Sequence, residues 1–176
     1  MKRFTNPFIW LRRIRHRCGY GVHSPFAYRF ITEVLYMDLP YYAYDELDKE
    51  LPLSDMFRVR KILHMLLRLS NWRQPGVIAC LSPSSPNVKH YLHAGCKKAM
   101  LTDHLPEGRV DMCWLDAPEE RILAHIYEHS VLILDHLDKH REWFNGLPSV
   151  VTFDLYDIGI AFFDTKYNKQ HYIINF

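Results

Sequence analysis

Short apolar runs alternate with segments of helical periodicity from residue 76 onward, and that rhythm predicts a mostly parallel α/β sheet. Residues 76–81 are an apolar run short enough for a buried strand. The turn-rich Ser-Pro-Ser-Ser-Pro loop follows, Asn87 stands as cap for a helix over 88–94, and 98–102 make a second strand ending on Asp103. Strand, loop, helix and strand form a βαβ unit. Further strands are expected at 110–115, 130–134 and 150–153, with helices at 118–129 and 138–146. Residues 160–163 and 171–174 are expected to close the chain as an antiparallel pair, turning at 164–169. The connection from Asp103 to Val110 is too short for another helix and strand.

The first part of the chain reads as helices. Ser24-Pro25 is a start signal, with serine as cap and proline in the first turn. Ala27, Phe30, Ile31, Val34 and Leu35 then share one face. His23 precedes the cap; it either fixes how the chain enters this helix or stands at the rim of a ligand cleft. Residues 40–52 are rich in tyrosine and acid, and fit a loop or short helix covering an edge. Ser54 or Asp55 caps a long helix to Leu69, with Val59, Ile62, Leu63, Leu66 and Leu67 inward and Arg58, Arg60, Lys61 and Arg68 in solvent. The expected organisation is a helical extension, 1–70, packed on an α/β core, 71–176, as one compact domain.

Composition adds three constraints. With 48% apolar residues, 176 residues are enough for a core. The net charge is only +2, but Lys2, Arg3, Arg12, Arg13, Arg15 and Arg17 form an arm without acids, so the remainder carries −4. That arm packs on the body, touches nucleic-acid phosphates, or lies on an anionic membrane surface; only the first needs no further support. Cys18, Cys80, Cys96 and Cys113 are scattered without a CxxC spacing, which suits reduced thiols and a cytoplasmic protein. No apolar run approaches the roughly 20 residues of a membrane span, and the early PFIWL run is too short for a signal peptide core.

Four segments resemble the bacterial O-methyltransferase-like family of class I S-adenosylmethionine-dependent methyltransferases: HSPFAYRFITEVL ending on Leu35, LDAPEE from Leu115, LILDHLDKHREW from Leu132 and TFDLYDIGIAFF from Thr152. The resemblance implies a reduced Rossmann-like methyltransferase sheet, mostly parallel with a C-terminal antiparallel hairpin, plus N-terminal helices. It implies S-adenosylmethionine as cofactor, held by Ser82, Ser84, Ser85, Asp103 and Asp116, with Asp135 and His136 beside the acceptor. Asp103 also stands where an open α/β sheet places the acid that takes ribose hydroxyls. Two features depart from the family pattern. The first loop lacks the glycines that let backbone approach a ligand, and the helix and strand the family has between Asp103 and Asp111 are missing.

Other chemistry has weaker signals. Asp116, Asp135 and His136 could hold a divalent ion that orients a hydroxyl acceptor, but aspartate is common at strand ends and helix caps, and that plainer role outweighs the metal reading. His90/His93, His125/His129 and His136/His140 lack the HExxH pattern of a zinc site. No GxSxG elbow or Walker loop is present, and Cys80 and Cys96 have no evident base. The function expected is methyl transfer from S-adenosylmethionine to a small-molecule hydroxyl. The alternative is a catalytically inactive relative acting as a binding or scaffold module. Nucleic-acid binding through the arm rests on charge alone and is weakest.

Overall fold

The computed structural model describes residues 21–51, 57–81 and 86–176. The basic arm, Cys18, the Ser54/Asp55 cap and the loop residues Ser82, Ser84 and Ser85 lie outside the described residues. The chain divides into two compact units, one from Met1–Gln74 with Ser85–Lys98 and the other from Pro75–Ser84 with Ala99–Phe176.

The first unit is helical. Helix α1, Pro25–Phe30, starts as the sequence predicts: Ser24 Oγ accepts the Ala27 N–H at 3.3 Å, with Pro25 in the first turn. It runs into a π-helical turn, Ile31–Leu35, which closes through Tyr36 N–H to the Ile31 carbonyl at 2.9 Å. Phe26, Ala27, Phe30, Ile31, Val34 and Leu35 are its buried side. The tyrosine-rich stretch is helical too, as α2, Tyr42–Leu47, and a 3-10 turn, Asp48–Glu50. Helix α3, Arg58–Arg73, buries Val59, Ile62, Leu63, Leu66 and Leu67. It passes Leu69 and ends on Gln74, whose left-handed φ of 49° lets its N–H reach the Ser70 carbonyl at 2.9 Å. Helix α4, Pro86–Gly95, begins at the proline, so Asn87 is an internal residue and not the cap. A Cβ on Gly95 would stand 2.3 Å from the Leu67 carbonyl oxygen, so the α3–α4 approach requires glycine there.

One prediction for this unit fails. Arg58 and Arg68 are buried, not solvated. Arg68 donates from Nε to the Val34 carbonyl at 2.6 Å and from Nη2 to the Leu35 carbonyl at 3.3 Å. These acceptors are at the end of the π-helical turn, where helix carbonyls lack intrahelical partners. A cation that supplies them donors is drawn inward.

The second unit holds a seven-stranded sheet: β1 Val77–Cys80, β2 Met100–Thr102, β3 Met112–Leu115, β4 Val131–Asp135, β5 Val151–Asp154, β6 Ile158–Phe162 and β7 Gln170–Ile173. Their order is β2-β1-β3-β4-β6-β5-β7. The pairs β1–β2, β1–β3, β3–β4 and β5–β7 are parallel; β6 is antiparallel to both β4 and β5. This is the mostly parallel α/β sheet with antiparallel C-terminal strands that the resemblance implies. Every residue of β3, β4, β5 and β6 is buried, which explains why the apolar runs are continuous and not alternating. Helix α5, Leu137–Gly146, buries Leu137 and Phe144.

Two expectations change here. Residues 118–129 do not form a helix of that length; only a 3-10 stretch, Glu120–His125, is present. The His125 carbonyl accepts the Val110 N–H at 3.0 Å and Ser130 Oγ accepts the Tyr127 N–H at 2.9 Å, so those groups are committed outside a helix. Strands β6 and β7 do not pair with each other, because β5 lies between them. The connection from β5 to β6 is short, and it turns through Tyr156 at φ 82° with Asp154 Oδ1 accepting the Tyr156 N–H at 2.7 Å. A tight turn joins sequence neighbours into the hairpin, and β7 takes the outer edge.

Candidate functional site

Strands β2, β1, β3 and β4 are adjacent and parallel, so their C-terminal ends share one edge of the sheet. Asp103 follows β2, Asp116 follows β3, and Asp135 is the last residue of β4. In an open α/β sheet this edge is where ligand crevices form. The three acids nevertheless differ in surroundings.

Asp103 is the exposed one, with 70% of its side chain accessible. It lines a cavity of about 420 Å³ together with Leu81, His104, Leu105, Glu119 and Arg121, a volume within the range of small-molecule sites. Leu81 is fixed by its N–H to the Trp114 carbonyl at 3.0 Å, so the chain leaving β1 stays at the rim. His104 Nδ1 lies 3.3 Å from Asp103 Oδ1. Across the cavity Arg121 grips Glu119 with Nε and Nη2, both at 2.9 Å, and with its backbone N–H at 3.1 Å. The Arg121 bonds hold the Glu119 carboxyl down to about 2, so it is an anion at any ordinary pH. Trp143 Nε1 donates to Glu120 Oε1 at 2.5 Å and ties the same segment to α5.

Asp116 Oδ1 accepts the indole N–H of the fully buried Trp114 at 3.1 Å. Asp135 is 1% exposed, and its Oδ1 accepts the His136 N–H at 2.6 Å. His136 sits at φ 53°, in the left-handed region, with 38% of its side chain accessible. Such a conformation costs roughly 1–3 kcal/mol and is held only by its surroundings; here the Asp135 bond and the Leu137 N–H to the Asp157 carbonyl at 3.0 Å hold it. Asp103 thus lines the cavity, whereas Asp116 and Asp135 are not among its lining residues.

Sequence reasoning missed Glu119, Arg121 and Leu105. An acid and an arginine two residues apart resemble any helix surface, and the 3-10 turn that presents them depends on the commitments of His125 and Ser130. Among the described residues, no group of three or more His, Cys, Asp or Glu is arranged to hold a metal ion. No described helix is long and apolar enough to cross a membrane.

No family model matches the chain, and no curated protein does. Among solved structures it is similar to the S-adenosylhomocysteine-bound methyltransferase PaMTH1 of Podospora anserina, at 12% identity, over 92% of this chain and 98% of that one, with a TM-score of 0.49.

Proposed function

We propose that this chain binds S-adenosylmethionine in the cavity at the ends of β1 and β2 and transfers a methyl group to a small-molecule hydroxyl. The observation that carries the reading is an accessible carboxylate, Asp103, just past the second strand of a parallel sheet and at the rim of a 420 Å³ cavity. The donor set fits: Asp103 offers two acceptor oxygens for a ribose diol, and Leu81 and Leu105 offer apolar surface for a flat base. Asp116 supports that side through its bond to the Trp114 indole. S-adenosylmethionine contributes an electrophilic sulfonium methyl. The chain's own part is to bind, orient and exclude water, while His136, poised by Asp135, takes the proton of the acceptor hydroxyl.

Isothermal calorimetry with S-adenosylmethionine and S-adenosylhomocysteine tests the binding claim. A dissociation constant at or below about 0.1 mM, weakened by Asp103→Ala, supports it; absence of heat rejects it. A second reading, a module that binds without catalysis, rests on the burial of Asp135 and on β2 being the edge strand among the described residues. Binding without methyl transfer to any hydroxyl in a catechol and phenol panel would select it.

A further inference from the structure

A second cavity, of about 370 Å³, lies over the starts of β5 and β7, wholly within the sheet unit, and it does not depend on the cofactor reading. Its origin is the way α5 sits on the sheet. A Cβ on Gly159 of β6 would stand 2.6 Å from the Phe144 ring, so α5 is seated directly over β6. Thr152 of β5 is on the same face, because its partner across the ladder is Ala161, which shares a core cluster with Phe144 and Leu147. Helix α5 ends at Gly146, and the space past its end is the cavity.

Phe144, Leu147 and Val150 give the cavity apolar surface. The polar groups set among them are in different states. Thr152 is satisfied: its Oγ1 lies 2.7 Å from His171 Nδ1, and β5 and β7 carry the two residues opposite each other. Ser149 also lines the cavity, is only 7% exposed, and has no hydrogen-bond partner for its hydroxyl among the described residues. A covered hydroxyl has lost most of its water, and leaving it unpaired is unfavourable. On a cavity wall it marks the place of a ligand atom. Lys169 brings a full positive charge to the same lining and makes no ion pair among the described residues. An ammonium can only donate, so the ligand atom that meets it must be an acceptor.

We propose that this cavity binds a small monocarboxylic acid with a short apolar chain. The carboxylate meets the Lys169 ammonium and accepts from the Ser149 hydroxyl, and the chain lies against Phe144, Leu147 and Val150. The His171 ring is held by Thr152 and is not needed as a ligand. Lys169 is the fixed cation among the described lining residues, and it suits a single negative charge better than the nearly doubled charge of a phosphate.

The test uses the full chain and three probes: butyrate, the neutral butyramide and inorganic phosphate. Titration is followed by calorimetry and by the Ser149 and Lys169 backbone amide resonances in nitrogen-15 spectra. Butyrate is expected to bind with a dissociation constant of about 1 mM or tighter, about tenfold better than butyramide or phosphate, and to move both resonances. Lys169→Gln and Ser149→Ala are each expected to weaken it about fivefold or more. Since neither side chain has a partner among the described residues, both variants are expected to keep the urea midpoint of the unchanged protein. Failure of butyrate to saturate at about 20 mM, binding of butyramide or phosphate as tight as that of butyrate, or butyrate affinity unchanged in both variants overturns the proposal.

Discussion

The edge of the sheet and the interior of the helical unit handle charge in opposite ways. At the sheet edge each acid belongs to its own strand end: Asp103 faces solvent, Asp116 receives an indole N–H, and Asp135 receives a backbone N–H. In the helical unit one acid, Asp48, gathers Arg60, His64 and Tyr91 from two helices, while Arg68 binds neutral oxygens from the π-helical turn after α1 and from α2. The difference teaches where function and stability separate. The exposed Asp103 carboxylate can be changed with little effect on packing, whereas a buried guanidinium bonded to the π-helical turn and to α2 cannot.

The largest effect should come from Arg68→Leu. It removes donors from two carbonyls and a hydroxyl in a buried setting, and unfolding in urea should show a loss of about 2–4 kcal/mol. A loss below about 1 kcal/mol would mean that water replaces the guanidinium and that the contrast between the regions is overstated. Gly95→Ala comes next. The Cβ meets the Leu67 carbonyl and the Asn71 backbone nitrogen, so overpacking should cost about 1–3 kcal/mol in the same measurement.

At the sheet edge, Asp116→Ala should cost about 1–2 kcal/mol, since it orphans the buried Trp114 N–H, and should alter tryptophan fluorescence. Asp103→Ala should leave stability within about 0.5 kcal/mol while weakening S-adenosylmethionine binding about tenfold or more. If Asp103→Ala destabilised the fold as much as Asp116→Ala, the functional reading of the exposed acid would fall.

The smallest effect is a pH dependence. Burial lowers the His64 pKa below its ordinary 6.5, against the opposing pull of Asp48. The unfolded chain therefore binds a proton that the folded one resists, and stability contributed above pH 6.5 should decline as pH falls through and below that value. His64→Gln should flatten the pH profile in that window; an unchanged slope would assign it elsewhere.

How much of this was legible differs by region. The strands from Val77, Met112 and Val131 were readable because a strand buried on both faces is apolar along its length, and runs this short fit strands better than helices. The start of α1 was readable because serine and proline act on the backbone beside them. The pairing of β6 was not, although two hints existed: a fully apolar run in IGIAF suits a central strand, and the half-exposed alternation of QHYI suits an edge. The 3-10 stretch at Glu120 was hidden, because the groups that end it belong to Val110 and Ser130.

By itself, then, the sequence determined where apolar segments begin and end and which acids terminate strands, since these follow from local solvation and backbone geometry. Tertiary structure alone decided that Arg68 is buried, that Asp135 is covered while Asp103 is open, and that β5 separates β6 from β7. Arg68 depends on hydrogen-bond partners 24 to 34 residues away, and a long flexible side chain carries no local mark of which carbonyl will receive it.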